Sequence, residues 1–287
     1  MDVSLRAGLD ESPDFRQEKF GPKNRGRVIA SGETSGGHDL RAGLWLHFRP
    51  GPATTHDELR RALQVHAPEL LSHDFGLVSS ISGPAGPLRA SFELVLDGLT
   101  FEVFQVSPRP GFRFPDYDFS EESNLPETGS MALVLVPGPH LSGAPRSLPV
   151  VRGQFLLGAR LIDVLPQIAA AGWPPGEALL AGGRFSAQAN AWARGGALPS
   201  TGLISIRSAM GGALQSAGLA YFTGQELRIE PDLARERDRA IRLALRLAES
   251  LLHRGPLREP EIFGDPAGGT IRLEPSRNGR FIRVWPG

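Results

Sequence analysis

Between Asp232 and Gly255 the apolar residues recur at helical intervals. Ile241, Ala244, Leu245, Ala248, Leu251 and Leu252 form one stripe, while Arg235, Glu236, Arg239, Arg242, Arg246 and Glu249 fall largely on the opposite side. The pattern predicts a helix over 233–254, N-capped by Asp232 and stopped by Gly255-Pro256. A helix apolar along one stripe must bury it against another layer. The flanking sequence offers strands for that layer. Segments 270–274 and 280–285 flank Asn278-Gly279 and read as a terminal hairpin. The expected fold class is therefore α+β, with mixed or antiparallel sheets and packed helices.

The preceding sequence continues the pattern. Leu44-Trp45-Leu46-His47-Phe48 reads as a strand broken by Arg49-Pro50-Gly51-Pro52. Thr55 with Glu58 three residues on is a capping box, opening a helix that buries Leu59, Ala62 and Leu63 and stops near Pro68. Strands are expected over 89–96 and 99–106, with a tight turn at Asp97-Gly98. The proline-rich stretch 108–128 reads as a loop, and 131–136 as a buried strand ended by Pro137-Gly138-Pro139. A helix is expected from 155 to about 171, kinked or ended by Pro166, followed by strands over 177–185 and 202–207. The strand–breaker–helix order occurs twice, which suggests two related halves. The expected organisation is a loosely ordered lead-in over 1–38, a first α+β half over 39–128 and a second over 129–287.

Composition removes several function classes. With 287 residues and 40% hydrophobic content, a sizeable core is available. Formal net charge is zero, which argues against general nucleic-acid binding, whose affinity rests on excess Lys and Arg. Cysteine is absent, which excludes disulfides, thiol catalysis and Cys-ligated metals. No apolar run approaches the roughly 20 residues that span a bilayer, and the first residues build no apolar signal core, so a cytoplasmic location is expected. Among the 31 basic residues only Lys19 and Lys23 are lysines, the skew that GC-rich bacterial coding produces.

No motif supplies chemistry. The Gly-rich run Ser31–Asp39 lacks the Gly-Lys-Ser/Thr ending of a phosphate-binding loop, and there is no Gly-x-Ser-x-Gly elbow. His66, His73 and Asp74 are metal-ligating types, but their spacing fits neither one helix face nor a tight turn. His38-Asp39 and His56-Asp57 are adjacent pairs that point apart. Neither a metal nor a cofactor is expected.

Two segments remain as candidate partner-binding surfaces. The loop carrying Asp116, Asp118, Glu121 and Glu122 is acidic, and the last strand puts Phe281, Arg283 and Trp285 on one face. Arg and Trp dominate protein-interface hot spots. Arginines outnumber acids between 235 and 283, so the neutral chain is bipolar and suited to a charged partner.

The chain also resembles a bacterial family known only as domain of unknown function four-two-six-one. Residues 44–48, 58–65 and 92–106 are similar to its opening strand, Leu/Arg-rich helix and strand pair. The run Gly218-Leu219-Ala220-Tyr221-Phe222-Thr223-Gly224-Gln225-Glu226-Leu227, with Thr223 inserted, is similar to its later Gly-x-x-Glu-Leu pattern. The resemblance covers about half the chain and implies no particular chemistry. The functional expectation is a cytoplasmic bacterial protein-binding module, such as an immunity or secretion-associated accessory protein. The alternative is a hydrolase-like enzyme with a site assembled from scattered residues.

Overall fold

A computed structural model describes residues 40–52, 54–75, 91–108, 113–117, 119–120, 131–264 and 268–287. The first sheet is built from β1 (Leu44–Phe48), β2 (Leu71–Asp74), β3 (Phe92–Leu96), β4 (Leu99–Val106), β5 (Phe119–Ser120), β6 (Ala132–Pro137), β7 (Ile168–Trp173) and β8 (Ala178–Ala181). Its order is β2-β3-β4-β6-β1-β7-β8-β5, antiparallel except for the β5/β8 pair. Helices α1 (His56–His66), α2 (Leu148–Val164) and α3 (Gly182–Ala193) belong to the same stretch of chain. The apolar β1 takes a central place, and all five of its residues are buried. Leu44, Leu46 and Phe48 join the core shared with the helices; Trp45 joins a separate cluster with Phe104, Val106, Ala132, Val134 and Val136. A strand inside a sheet covered on both faces has this continuous apolar run rather than alternation.

Local signals act where the sequence puts them. The Thr55 hydroxyl accepts from the Glu58 N–H at 3.3 Å, and the Glu58 carboxylate accepts from the Thr55 N–H at 2.8 Å, completing the capping box of α1. Asp97 and Gly98 take φ values of 50° and 78°, the left-handed pair that matches a two-residue hairpin to strand twist.

The second sheet comprises β9 (Ser205–Ser208), β10 (Leu214–Ala217), β11 (Glu226–Ile229), β12 (Glu261–Gly264), β13 (Thr270–Pro275) and β14 (Phe281–Pro286), in the order β12-β13-β14-β11-β10-β9. Short helices α4 (Ser200–Leu203), α5 (Leu219–Thr223) and α6 (Pro231–Ala234) punctuate it, and α7 (Arg237–Arg254) is its main helix. Only β11 and β14 pair in parallel, so the chain crosses over between them through α7 and the β12–β13 hairpin. Leu227, Ile282 and Val284 are 0% exposed and share one core with Leu243, Ala244, Leu247 and Leu251 of α7. Each such Leu, Ile or Val side chain contributes roughly 1.5–3 kcal/mol on burial. The α+β class is thus the observed one.

Several expectations need correction. The first sheet takes strands from both sides of 128/129, with β6 between β4 and β1; the proline-rich 108–128 stretch, expected as a loop, carries the short strand β5. The sheets part between Ala181 and Ser205. Helix α2 runs seven residues earlier than expected and ends before Pro166, and Ile168–Trp173 is a strand. The strand expected over 177–185 stops at Ala181, and α3 follows, burying Phe185, Ala189 and Trp192 at helical spacing. The strand over 202–207 begins at Ser205, after α4. Asp232 lies inside α6, and Glu236 takes the N-cap position of α7. The buried stripe of α7 is Ala240, Leu243, Ala244, Leu247, Ala248, Leu251 and Leu252, while Leu245 is half-buried. Leucines at 243, 245 and 247 left the stripe's centre open; packing on the sheet decides it. Among the described residues no helix is long and apolar enough to cross a membrane.

Candidate functional site

The outer face of the second sheet gathers the C-terminal candidates. Pairing places Arg207, Gln215, Arg228, Arg283 and Glu274 in one row across β9, β10, β11, β14 and β13. The next row holds Trp285, Arg272 and Ile262, the last 71% exposed. Alternation explains the division: Ile282 and Val284 turn into the core, so Phe281, Arg283 and Trp285 remain half-buried on the other side.

The face is organised around one carboxylate. Glu230 follows β11 directly and is only 3% exposed. Its Oε1 accepts from Arg283 Nε at 2.6 Å and lies 3.4 Å from Arg228 Nε. The Arg283 guanidinium sits 4.4 Å from the Trp285 ring centroid, a cation–π distance. The hydrogen bond to Glu230 raises the Arg283 pKa above its ordinary range. Arg272 pairs with Glu274 at 3.1 Å, and Arg207 pairs with Glu177. Arg277 and Arg280, on the turn before β14, are exposed. Glu230 carries one negative charge for two guanidiniums, so the face keeps positive charge and unused N–H donors in fixed positions.

The run 218–227 has a structural task beside this face. Glu226 Oε1 accepts from the N–H groups of Gly218 at 2.9 Å and Ala220 at 3.0 Å, and Oε2 accepts from the Ser216 hydroxyl at 2.5 Å. Burial raises the Glu226 carboxyl pKa, with these hydrogen bonds opposing it. Gly218 takes φ 109°, and a Cβ there would collide with the Leu203 carbonyl oxygen. The motif fixes the β10–α5–β11 corner and brings no reactive group to the surface.

Of the acidic loop, Asp116 is exposed, while Asp118, Glu121 and Glu122 lie outside the described residues. The neighbours of Asp116 do what the sequence did not suggest. Tyr117 Oη lies 2.9 Å from His47 Nε2, and the Tyr117 and Phe114 rings pack on the outer side of the first sheet against His47 and Trp45. Tyr117 passes so close over β7 that any Cβ at Gly172 would collide with its hydroxyl. His47 is 1% exposed, and burial lowers its pKa to about 4. Burial likewise pushes the Tyr117 phenol well above its usual range. His47 is enclosed and Tyr117 is half-buried over it, so the pair can hold its segment against the sheet.

The metal-type residues separate. His56 Nε2 meets Asp74 Oδ1 at 2.9 Å while its ring stacks on Phe92 at 4.4 Å. His73 is exposed beside Phe75, and His66 ends α1 on the rim of an open groove. Among the described residues no three His, Asp or Glu side chains are grouped so as to hold a metal ion. His38, Asp39 and the 31–39 glycine run lie outside the described residues. No family model, no curated protein and no solved structure matches the chain.

Proposed function

We propose that this chain is a cytoplasmic bacterial protein-binding module, such as an immunity or secretion-associated accessory protein, and that its partner docks on the outer face of the second sheet. The observation that carries this reading is Arg283, pinned by Glu230 at 2.6 Å and laid over Trp285 at 4.4 Å on a half-exposed face. A guanidinium held in place loses little entropy when it meets a second anion, and Arg and Trp concentrate interface energy. Arg228 and Arg272 extend the row, Arg277 and Arg280 add charge, and Ile262 offers an apolar contact. The surface suits an acidic protein segment with an apolar anchor.

The test is isolation of the partner from the native host, followed by affinity measurement with purified components. Arg283→Ala and Trp285→Ala should each weaken binding by about tenfold or more. Asp116→Ser, on the other sheet's strap, should leave it unchanged. Partner affinity untouched by both substitutions on the face, or turnover of a substrate by the purified chain alone, would reject the reading.

A further inference from the structure

A second place with chemistry lies between the C-terminal ends of α1 and α2. An open groove of about 410 Å³ is rimmed by His66, Glu69, Arg160 and Asp163 and floored by Ala67 and Leu70. Its size falls in the range of small-molecule sites, roughly 300–1,000 Å³. The four rim residues are exposed, and the two floor residues are each 3% exposed.

The rim is organised against the usual rules of helix stability. Elsewhere an acid and an arginine three residues apart on a helix close into ion pairs: Asp57–Arg60 at 3.1 Å, Asp232–Arg235 at 2.9 Å and Glu236–Arg239 at 3.6 Å. Arg160 and Asp163 line the same groove at that spacing but in the reverse order, base before acid, which pairs less well on a helix, and no ion pair joins them. Among the described residues, Glu69 and His66 have no hydrogen-bonding or ionic partner either. Asp163 also stands in the last turn of α2, which holds no basic residue, so its charge faces the negative end of the helix dipole. Pro166 has no N–H to give the Ile162 carbonyl, which leaves that acceptor open at the helix end. Helix α1 ends at the same groove. An unpaired carboxylate in the last turn of α2, and a second at Glu69 just past the end of α1, stand above an apolar floor and suit a cationic ligand with an aliphatic stem.

The charges specify the ligand further. Two carboxylates, Glu69 and Asp163, face one guanidinium, Arg160, with the His66 ring beside them. We propose that the groove binds a free dibasic amino acid of the lysine or ornithine type. Its α-carboxylate lies on Arg160, its two ammonium groups on Asp163 and Glu69, and its methylene stem on Ala67 and Leu70.

The probe is L-lysine, titrated into the full chain by calorimetry and by chemical-shift mapping. Saturable binding at millimolar concentration or below is expected, with shifts confined to the groove. Asp163→Asn, Glu69→Gln and Arg160→Gln are exposed substitutions that keep the fold, checked by circular dichroism, and each should weaken lysine binding by about tenfold. Norleucine, cadaverine and Nα-acetyl-lysine each remove one charge and should bind about tenfold more weakly. The acetylated compound also stands for a peptide's C-terminal lysine. If it binds as well as lysine, the ligand is a peptide end and the free amino acid is rejected. Cadaverine binding equally well would reduce the groove to a cation trap. Absence of saturable binding, or binding unchanged by Asp163→Asn, would overturn the proposal.

Discussion

The two sheets bury one face each in the same shared core but treat their other faces in opposite ways. The outer side of the first carries Trp45, Phe104, Val134 and Val136, with Leu40 and Phe114 packed over them and Tyr117 held against His47. The outer side of the second carries arginines tied to Glu230 and Glu274, with Trp285 among them and Ile262 open to solvent. One surface is closed by burying even its histidine, and the other is kept open by pairing its central arginines with carboxylates of the same face. An apolar sheet face left in water is a liability. A face of paired guanidiniums stays soluble and still offers donors to a partner.

The closed face is where acid should act most. His47 binds a proton on unfolding, because its pKa is about 4 in the folded chain against 6.5 free. The stability it contributes is complete above pH 6.5 and is lost as pH falls toward 4, a change of roughly 3 kcal/mol. Urea unfolding at neutral pH and near pH 4 measures it. His47→Gln should remove that part of the acid dependence, leaving what the carboxylates cause. If wild type and variant lose stability in parallel, His47 is not held dry by the strap.

A steric test comes next in size. Gly172→Ala places a methyl group where the Tyr117 hydroxyl lies and should cost about 1–3 kcal/mol. The same change in a Tyr117→Ala background should cost little more, since the obstacle is gone, and thermal melts of the four proteins give the coupling. Additive losses would mean that the segment carrying Tyr117 does not rest on β7.

How much of this contrast could be read in advance depends on distance along the chain. β4 and the α1 capping box were legible because a tight turn and a Thr-x-x-Glu pair are local signals. Helix α3 was hidden, because Leu179-Leu180 reads as the middle of a strand and Gly182-Gly183 disguises a helix start. Phe281, Arg283 and Trp285 were placed on one face by alternation alone. Their organiser was not legible: Glu230 lies 53 residues from Arg283 and looks like the end of a strand. His47 and Tyr117 are 70 residues apart, and neither alone signals a buried pair. Local chemistry sets elements and faces, and only the sheet order brings these partners together.

On the open face the expected stability effects shrink while binding effects remain. Arg283 is close to half exposed and Arg228 still lies beside the buried Glu230 when it is removed, so Arg283→Ala should cost about 1–2 kcal/mol, from one charge-assisted hydrogen bond and one cation–π contact. Thermal denaturation checks this. A loss of several kcal/mol would make the residue a structural element rather than a presented one.

The smallest effect is expected at Arg280, and it sharpens the comparison most. Its side chain is exposed on the turn before β14, and among the described residues only its backbone is engaged: its N–H donates to Asn278 Oδ1 at 3.1 Å and its carbonyl accepts from the Glu226 N–H at 2.9 Å. Arg280→Ser should therefore leave stability within about 0.5 kcal/mol of wild type. If the face meets an acidic partner, the same substitution lowers the association rate and flattens its salt dependence, because exposed charges steer encounter over about a Debye length. The dissociation rate, set by the Arg283–Trp285 centre, should stay as it was. Stopped-flow association at several ionic strengths separates the two rates. An Arg280 effect on dissociation alone would place the turn inside the interface, and an unchanged salt slope would mean that the partner is not recognised through charge.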